Sequence, residues 1–318
     1  MSRPLALFAA LLFAAISVSS ACMAGPVPDS ISFELKPSLH SGNLQLALWD
    51  RTDNRHHNMS GDSFAARDFT GLDLRAFAAG GPVTFALVRE AGRVDCAGTS
   101  NNSLATGTCR FTADRSFADY LAAHGIARPN RDEAYGLTMT QASRSLVEAL
   151  AAANYPRPDI DELTALSALR VNRDYIAGLA AVGYKPKDID GLTSFKALDI
   201  TPAYIDSLKR AGFTQMDGDE IVSFKALNIT PEFVASLRSA GYANLSADEL
   251  TQFAALHITP EFIAGFARAG FPNLDVDTLV QLKALNVTPE FVKSLEAHGL
   301  HPKSADQLVK LKIAGLDE

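Results

Sequence analysis

Residues 230–258 read TPEFVASLRSAGYANLSADELTQFAALHI, and the same wording returns every 29 residues. Its openings are Thr201-Pro202-Ala203-Tyr204, Thr230-Pro231-Glu232-Phe233, Thr259-Pro260-Glu261-Phe262 and Thr288-Pro289-Glu290-Phe291. Laid out without gaps, blocks begin at Ser143, Asn172, Thr201, Thr230, Thr259 and Thr288. A degenerate copy starts near Asp114, with Phe117, Leu121 and Gly125 in the matching places. A fixed period of this length marks a repeat architecture, because one unit cannot bury its apolar side alone and must stack on its neighbours.

Each block predicts two short helices. In the central block Thr230 is an N-cap, and Pro231 stands at the first helical position, where its missing N–H costs nothing. Gly241 supplies the left-handed residue that ends the first helix. Ser246, with Glu249 three positions on, forms a capping box for the second helix, which is expected to run through Phe253 and Leu256 until the next Thr-Pro. Asn154 takes the glycine position in the Ser143 block. Aromatic residues recur as Tyr175, Tyr204, Phe233, Phe262 and Phe291, and again as Tyr155, Tyr184, Phe213, Tyr242 and Phe271, as packing between adjacent hairpins requires.

Two charge rows accompany the repeat. Asp161, Asp190, Asp219, Asp248, Asp277 and Asp306 each lie two residues after an N-cap position, where unpaired N–H groups and the helix dipole favour a carboxylate. Lys196, Lys225, Lys283 and Lys312 form the second row, interrupted by Ala254 and Ser167. No capping role explains the lysines, which leaves a solvated helix face or a periodic contact with an anionic partner. They are the candidate partner-binding residues.

Upstream of the repeats the period changes to two. Ile31, Phe33 and Leu35, then Leu44, Leu46 and Leu48, then Val83, Phe85 and Leu87, then Val94 and Cys96, then Cys109 and Phe111 alternate with polar residues, as half-buried strands do. Glu90-Ala91-Gly92 offers a tight turn, so the later strands should form an antiparallel meander. Cys96 and Cys109 flank the polar Ser100-Asn101-Asn102-Ser103 loop on the apolar face and are expected to form a disulfide, worth on the order of 3 kcal/mol. Asp53, His56 and His57, within the polar stretch from Asp50 to Asp62, are weak metal candidates. Adjacent histidines on an extended chain point to opposite faces, and a solvated loop accounts for them as well.

Met1 to Ala24 reads as a secretory signal peptide: Arg3, an apolar run from Leu5 to Val18, then small residues. The apolar run is short of the roughly 20 residues a membrane span needs. A periplasmic or secreted protein is expected. A lipoprotein signal acylated at Cys22 is disfavoured, since Ser19-Ser20-Ala21 lacks the usual large aliphatic residue. Removal of Cys22 with the signal leaves an even pair of cysteines for an oxidising compartment.

The fold class expected is therefore α+β: a signal peptide over 1–24, a small antiparallel β domain over 25–112 with one disulfide, a degenerate first repeat over 113–142, and six helical-hairpin repeats over 143–318 forming an α-solenoid. Hydrophobic residues at 47% and charged residues at 20% of 318 suit globular domains. With 29 Lys plus Arg against 36 Asp plus Glu, the net charge of −7 disfavours nucleic acid as a partner. No Gly-x-Ser-x-Gly elbow or phosphate loop is present, and pairing of Cys96 with Cys109 leaves no nucleophilic thiol, so neither an enzyme nor a cofactor is expected.

The wording Ile229-Thr230-Pro231-Glu232-Phe233-Val234, followed by Ala240-Gly241-Tyr242 and Leu245-Ser246-Ala247-Asp248-Glu249-Leu250, resembles repeats found C-terminal to bacterial metallopeptidases of the beta-lactam-sensor type and in anti-sigma-like proteins. The likeness covers roughly residues 83 to 318, including Gly107-Thr108-Cys109-Arg110-Phe111-Thr112. The peptidase signature His-Glu-x-x-His is absent, so the resemblance implies an envelope-sensing scaffold without the catalytic role. A fainter similarity to mitochondrial transcription terminator repeats implies nucleic-acid binding, which 17 Lys plus Arg against 23 Asp plus Glu in residues 143–318 opposes. Two functions follow as expectations: a scaffold binding a protein partner, or a binder of a linear anionic polymer such as a cell-wall glycan through the Lys row.

Overall fold

The computed structural model describes residues 27–39, 42–49 and 58–315. The signal segment, Cys22 and the Asp53, His56 and His57 cluster lie outside the described residues.

A mixed fold results. Seven strands among the described residues, β1 (Ile31–Pro37), β2 (Asn43–Trp49), β3 (Asn58–Ala65), β4 (Phe69–Thr70), β5 (Gly81–Val88), β6 (Gly92–Asn101) and β7 (Leu104–Ala113), form one antiparallel sheet in the order β3-β2-β1-β7-β6-β5-β4. The short helix α1 (Leu74–Ala79), capped by Asp73, precedes β5. Hairpin turns set the register of β5, β6 and β7. Arg89 and Gly92 exchange backbone hydrogen bonds across Glu90-Ala91, and Asn102 and Ser103 both have positive φ, the type I′ geometry that matches strand twist. Pairing of β1 with β7 then brings the two halves of the sheet together.

The polar stretch expected to be a loop is a strand from residue 58 onward. β3 is an edge strand bonded only to β2, so its backbone rather than apolar alternation holds it, and Phe64 is its buried anchor. Four rings fill the sheet core edge to face: Phe33 on Phe85 at 5.1 Å, Phe85 on Phe69 at 5.4 Å and Phe69 on Phe64 at 5.8 Å. Gly107 sits where a Cβ would lie 2.2 Å from the Ala97 carbonyl oxygen and 2.8 Å from the Phe33 ring. Only glycine admits that ring over the strand.

After the sheet come fourteen helices in series among the described residues. They are α2 (Arg115–Ala123), α3 (Arg131–Thr140), α4 (Arg144–Ala152), α5 (Ile160–Ala168), α6 (Arg173–Ala181), α7 (Ile189–Ala197), α8 (Pro202–Arg210), α9 (Gly218–Ala226), α10 (Pro231–Ser239), α11 (Ala247–Ala255), α12 (Pro260–Arg268), α13 (Val276–Ala284), α14 (Pro289–Ala297) and α15 (Ala305–Ile313). The chain divides into two compact units, one of residues 1–180 and 187–193, the other of 181–186 and 194–318. In the first, Ala134 and Tyr135 of α3 join the sheet core and Tyr135 meets Phe111 at 5.2 Å, so packing continues past residue 112, where the sequence period changes.

Local chemistry explains the helix starts. Thr201, Thr230, Thr259 and Thr288 accept from the N–H three residues on, each with proline at the first helical position. Asp159, Asp217 and Ser246 form capping boxes with Glu162, Glu220 and Glu249. The Asp row falls in the first turn of the second helices, at Asp161, Asp190, Asp219, Asp248, Asp277 and Asp306.

The helix ends differ from expectation in one respect. First helices end as anticipated, with φ of 101° at Gly241 and 55° at Asn154. Second helices do not run on to the next Thr-Pro. Each stops at a left-handed residue of its own: Arg170, Asp199, Asn228, His257 and Asn286, with φ between 52° and 60°. The reversal lets Ile229 donate its N–H to the Phe224 carbonyl at 2.7 Å and Ile258 to Phe253 at 2.7 Å, the 6→1 bond of a Schellman motif. That bond tucks Ile200, Ile229, Ile258 and Val287 fully inside.

In the second unit, α9 packs on α11, α11 on α13, α13 on α15, and α12 on α14. Leu208, Phe224, Val234, Phe253 and Leu279, drawn from three consecutive blocks, share one core. Two polar ties join neighbouring blocks. Arg238 donates to the Ala211 carbonyl at 2.7 Å, and the Lys209 ammonium donates to the Val182 carbonyl, each cation satisfying a helix C-terminus one block upstream.

Candidate functional site

Like the Asp row, the lysine row repeats with the fold, and its position is set by helix geometry. Lys196, Lys225, Lys283 and Lys312 stand in the last turn of α7, α9, α13 and α15, where a cation meets the negative helix end. All four are half-buried. The Lys225 ammonium lies 4.9 Å from the centre of the Tyr204 ring, that of Lys283 4.6 Å from Phe262, and that of Lys312 5.0 Å from Phe291. Each ring is 21 residues before its lysine, at the third position of the first helix in the same block. A hairpin is thus clasped by a cation held over an aromatic face, an interaction worth about 0.5–1 kcal/mol at exposed sites and more when desolvated.

The spacing of 21 was visible in the sequence. Its meaning depended on how the two helices of a hairpin face one another, which residue period does not give. Tyr204 shows how firmly the rings are seated: its hydroxyl donates to the Ile229 carbonyl at 3.0 Å, and burial pushes its pKa up to about 12. Lys225 and Lys283 have no carboxylate partner among the described residues. The adjacent glutamates are turned to the helix starts, where hydrogen bonds to Thr230 and Thr259 hold the Glu232 and Glu261 carboxyls below the usual carboxylate range.

Ala254 interrupts this row. The Phe233 ring, 21 residues upstream, is partly buried against the shared core and carries neither a cation nor a ring partner among the described residues. An uncapped aromatic face therefore lies between two capped ones.

Cys96 and Cys109 are joined as a disulfide between directly paired residues of β6 and β7, with Cα atoms 4.0 Å apart. Both cysteines are buried in the sheet core. Among the described residues no group of three or more His, Cys, Asp or Glu side chains could hold a metal, and no helix is long and apolar enough to cross a membrane.

Two surface depressions add little chemistry. One of about 550 Å³ runs over Thr84, Arg93, Asp95, Thr108 and Arg110, with Arg93 and Asp95 paired to each other at 2.6 Å. The other, about 480 Å³, is bordered by Tyr184, Lys209, Phe213, Met216 and Asp217, and its ammonium is committed to the Val182 carbonyl.

No family model matches the chain, and comparison with curated proteins and with solved structures finds no match either.

Proposed function

We propose that this chain is an exported, non-catalytic scaffold whose 29-residue repeats stack as an α-solenoid and bind a protein partner, in the manner of an envelope-sensing module. The observation that carries this reading is the packing of α9, α11 and α13 in succession over a shared core, with α15 packed on α13 over a second one, which presents the same outward positions at regular intervals. The Cys96–Cys109 disulfide is compatible with a periplasmic or secreted location.

A second reading, binding of a linear anionic polymer such as a cell-wall glycan, is favoured by the ammonium groups of Lys225 and Lys283, which face rings rather than carboxylates. Salt separates the two. A protein captured from envelope extract on the immobilised chain and retained through a high-salt wash supports the scaffold, whereas retention of polygalacturonate that is lost steeply with ionic strength supports the polymer.

A further inference from the structure

We propose that the uncapped Phe233 ring, with Lys225 on one side and Lys283 on the other, is a docking site for an extended acidic peptide that places an apolar side chain on Phe233 and a carboxylate on each lysine. This inference rests on the scaffold reading and specifies its partner.

Three observations define the site. First, α9, α11 and α13 pack in sequence and carry Lys225, Ala254 and Lys283 at one recurring position, so the three residues share a face. Second, Lys225 and Lys283 are fixed over Tyr204 and Phe262 and lack carboxylate partners among the described residues. Their charge is oriented in advance, which lowers the entropy an incoming anion must overcome. Third, Ala254 leaves the Phe233 face without the ammonium that covers its neighbours' rings. Apolar surface between two fixed cations is complementary to an apolar group between two anions.

Spacing makes the partner more specific. Packed helices lie about 8–10 Å apart, so each lysine is roughly 10 Å from the central ring along the row. An extended chain in the polyproline II conformation advances about 3.1 Å per residue and returns to the same side every third residue, which puts the two carboxylates about three residues before and three after the apolar residue, on its side of the chain. A uniform polyanion fits less well, because the row is broken at its centre and the repeats are themselves acidic.

The test uses the full chain and the capped peptide Asp-Ala-Ala-Phe-Ala-Ala-Asp, followed by fluorescence anisotropy. Replacing both aspartates by asparagine should weaken binding at least about tenfold. Ala254→Lys should do the same, although it adds positive charge, because a resident ammonium then covers Phe233. Lysine occupies this position in neighbouring blocks, so the variant is expected to keep its helix content. If it does not fold, the Lys225→Gln/Lys283→Gln pair is measured instead, with the same loss expected. Unchanged affinity in the variant measured, or no binding of the peptide, overturns the proposal. Tighter binding of polygalacturonate by Ala254→Lys without peptide binding overturns it in favour of the polymer. If the peptide fails while a protein is still retained at high salt, the scaffold reading stands and only this docking face is lost.

Discussion

The ammonium of Lys283 lies 4.6 Å from the centre of the Phe262 ring, and both residues belong to one 29-residue block. The lysine is at the end of the second helix and the ring near the start of the first, so the contact closes the hairpin on itself. Stability is therefore expected to depend on it. In a double-mutant cycle of Lys283→Gln with Phe262→Leu, the coupling should be about 0.5–1 kcal/mol. Chemical denaturation of the four species measures it, and a coupling of zero would make the row a simple solvated face.

Left-handed helix ends give a second prediction. His257 has φ 53°, and although its backbone N–H donates to the Ala254 carbonyl its Cβ is crowded in that left-handed conformation, so His257→Gly should raise stability by up to about 1 kcal/mol. Gly241 has φ 101° and open space beside it, so Gly241→Ala should cost about 1–2 kcal/mol from backbone strain alone. Ala243→Val, in the same connection, should cost less. Opposite signs for His257→Gly and Gly241→Ala in thermal melts are the expected result.

In the sheet, Gly107→Ala should destabilise more than either of these. Its Cβ would meet both the Ala97 carbonyl and the Phe33 ring, and the backbone contact cannot yield without opening β6 from β7. Replacing Cys96 and Cys109 together by alanine should cost about 3 kcal/mol by the chain-entropy account. Hydrogen exchange should place that loss in the sheet and α3, which share a core, and leave α9 to α15 protected.

Acid should loosen the helices through their caps. Backbone and side-chain hydrogen bonds from Thr278 hold the Asp275 carboxyl below its ordinary value, and bonds from Ser246 do the same for Glu249. A carboxyl whose folded-state pKa is depressed contributes stability in full above its unfolded pKa and loses it as pH falls through the folded value. Melting temperature should thus be flat near neutrality and drop once pH falls below the ordinary carboxylate range. Asp275→Asn keeps a capping oxygen, so it should melt nearly as the parent does at pH 7 and show a shallower acid decline. A steeper decline would contradict the assignment.

Much of this architecture could be read from residue order alone. Thr-Pro openings, Ser246 with Glu249, and Gly241 mark where helices begin and where the first helix of a block ends, because capping is chemistry among residues three or four apart, while the left-handed ends of the second helices at Asn228 and His257 went unread. Alternation in β1, β2, β5, β6 and β7, and the pairing of Cys96 with Cys109, were legible for the same reason, since a hairpin juxtaposes residues close in sequence. β3 was not, because an edge strand needs no apolar alternation when its partner's backbone supplies the bonds.

The sequence by itself determined the period, the helix starts, the disulfide and the existence of a lysine row with a gap at Ala254. Only the tertiary structure decided that β1 pairs with β7, that Ala134 and Tyr135 complete the sheet core, and that each of Lys225, Lys283 and Lys312 covers a ring 21 residues away. The physical reason is range. Caps and turns are decided by a few neighbouring dihedrals, whereas a strand partner or the ring beneath an ammonium depends on how separate elements pack, and many packings satisfy one local pattern.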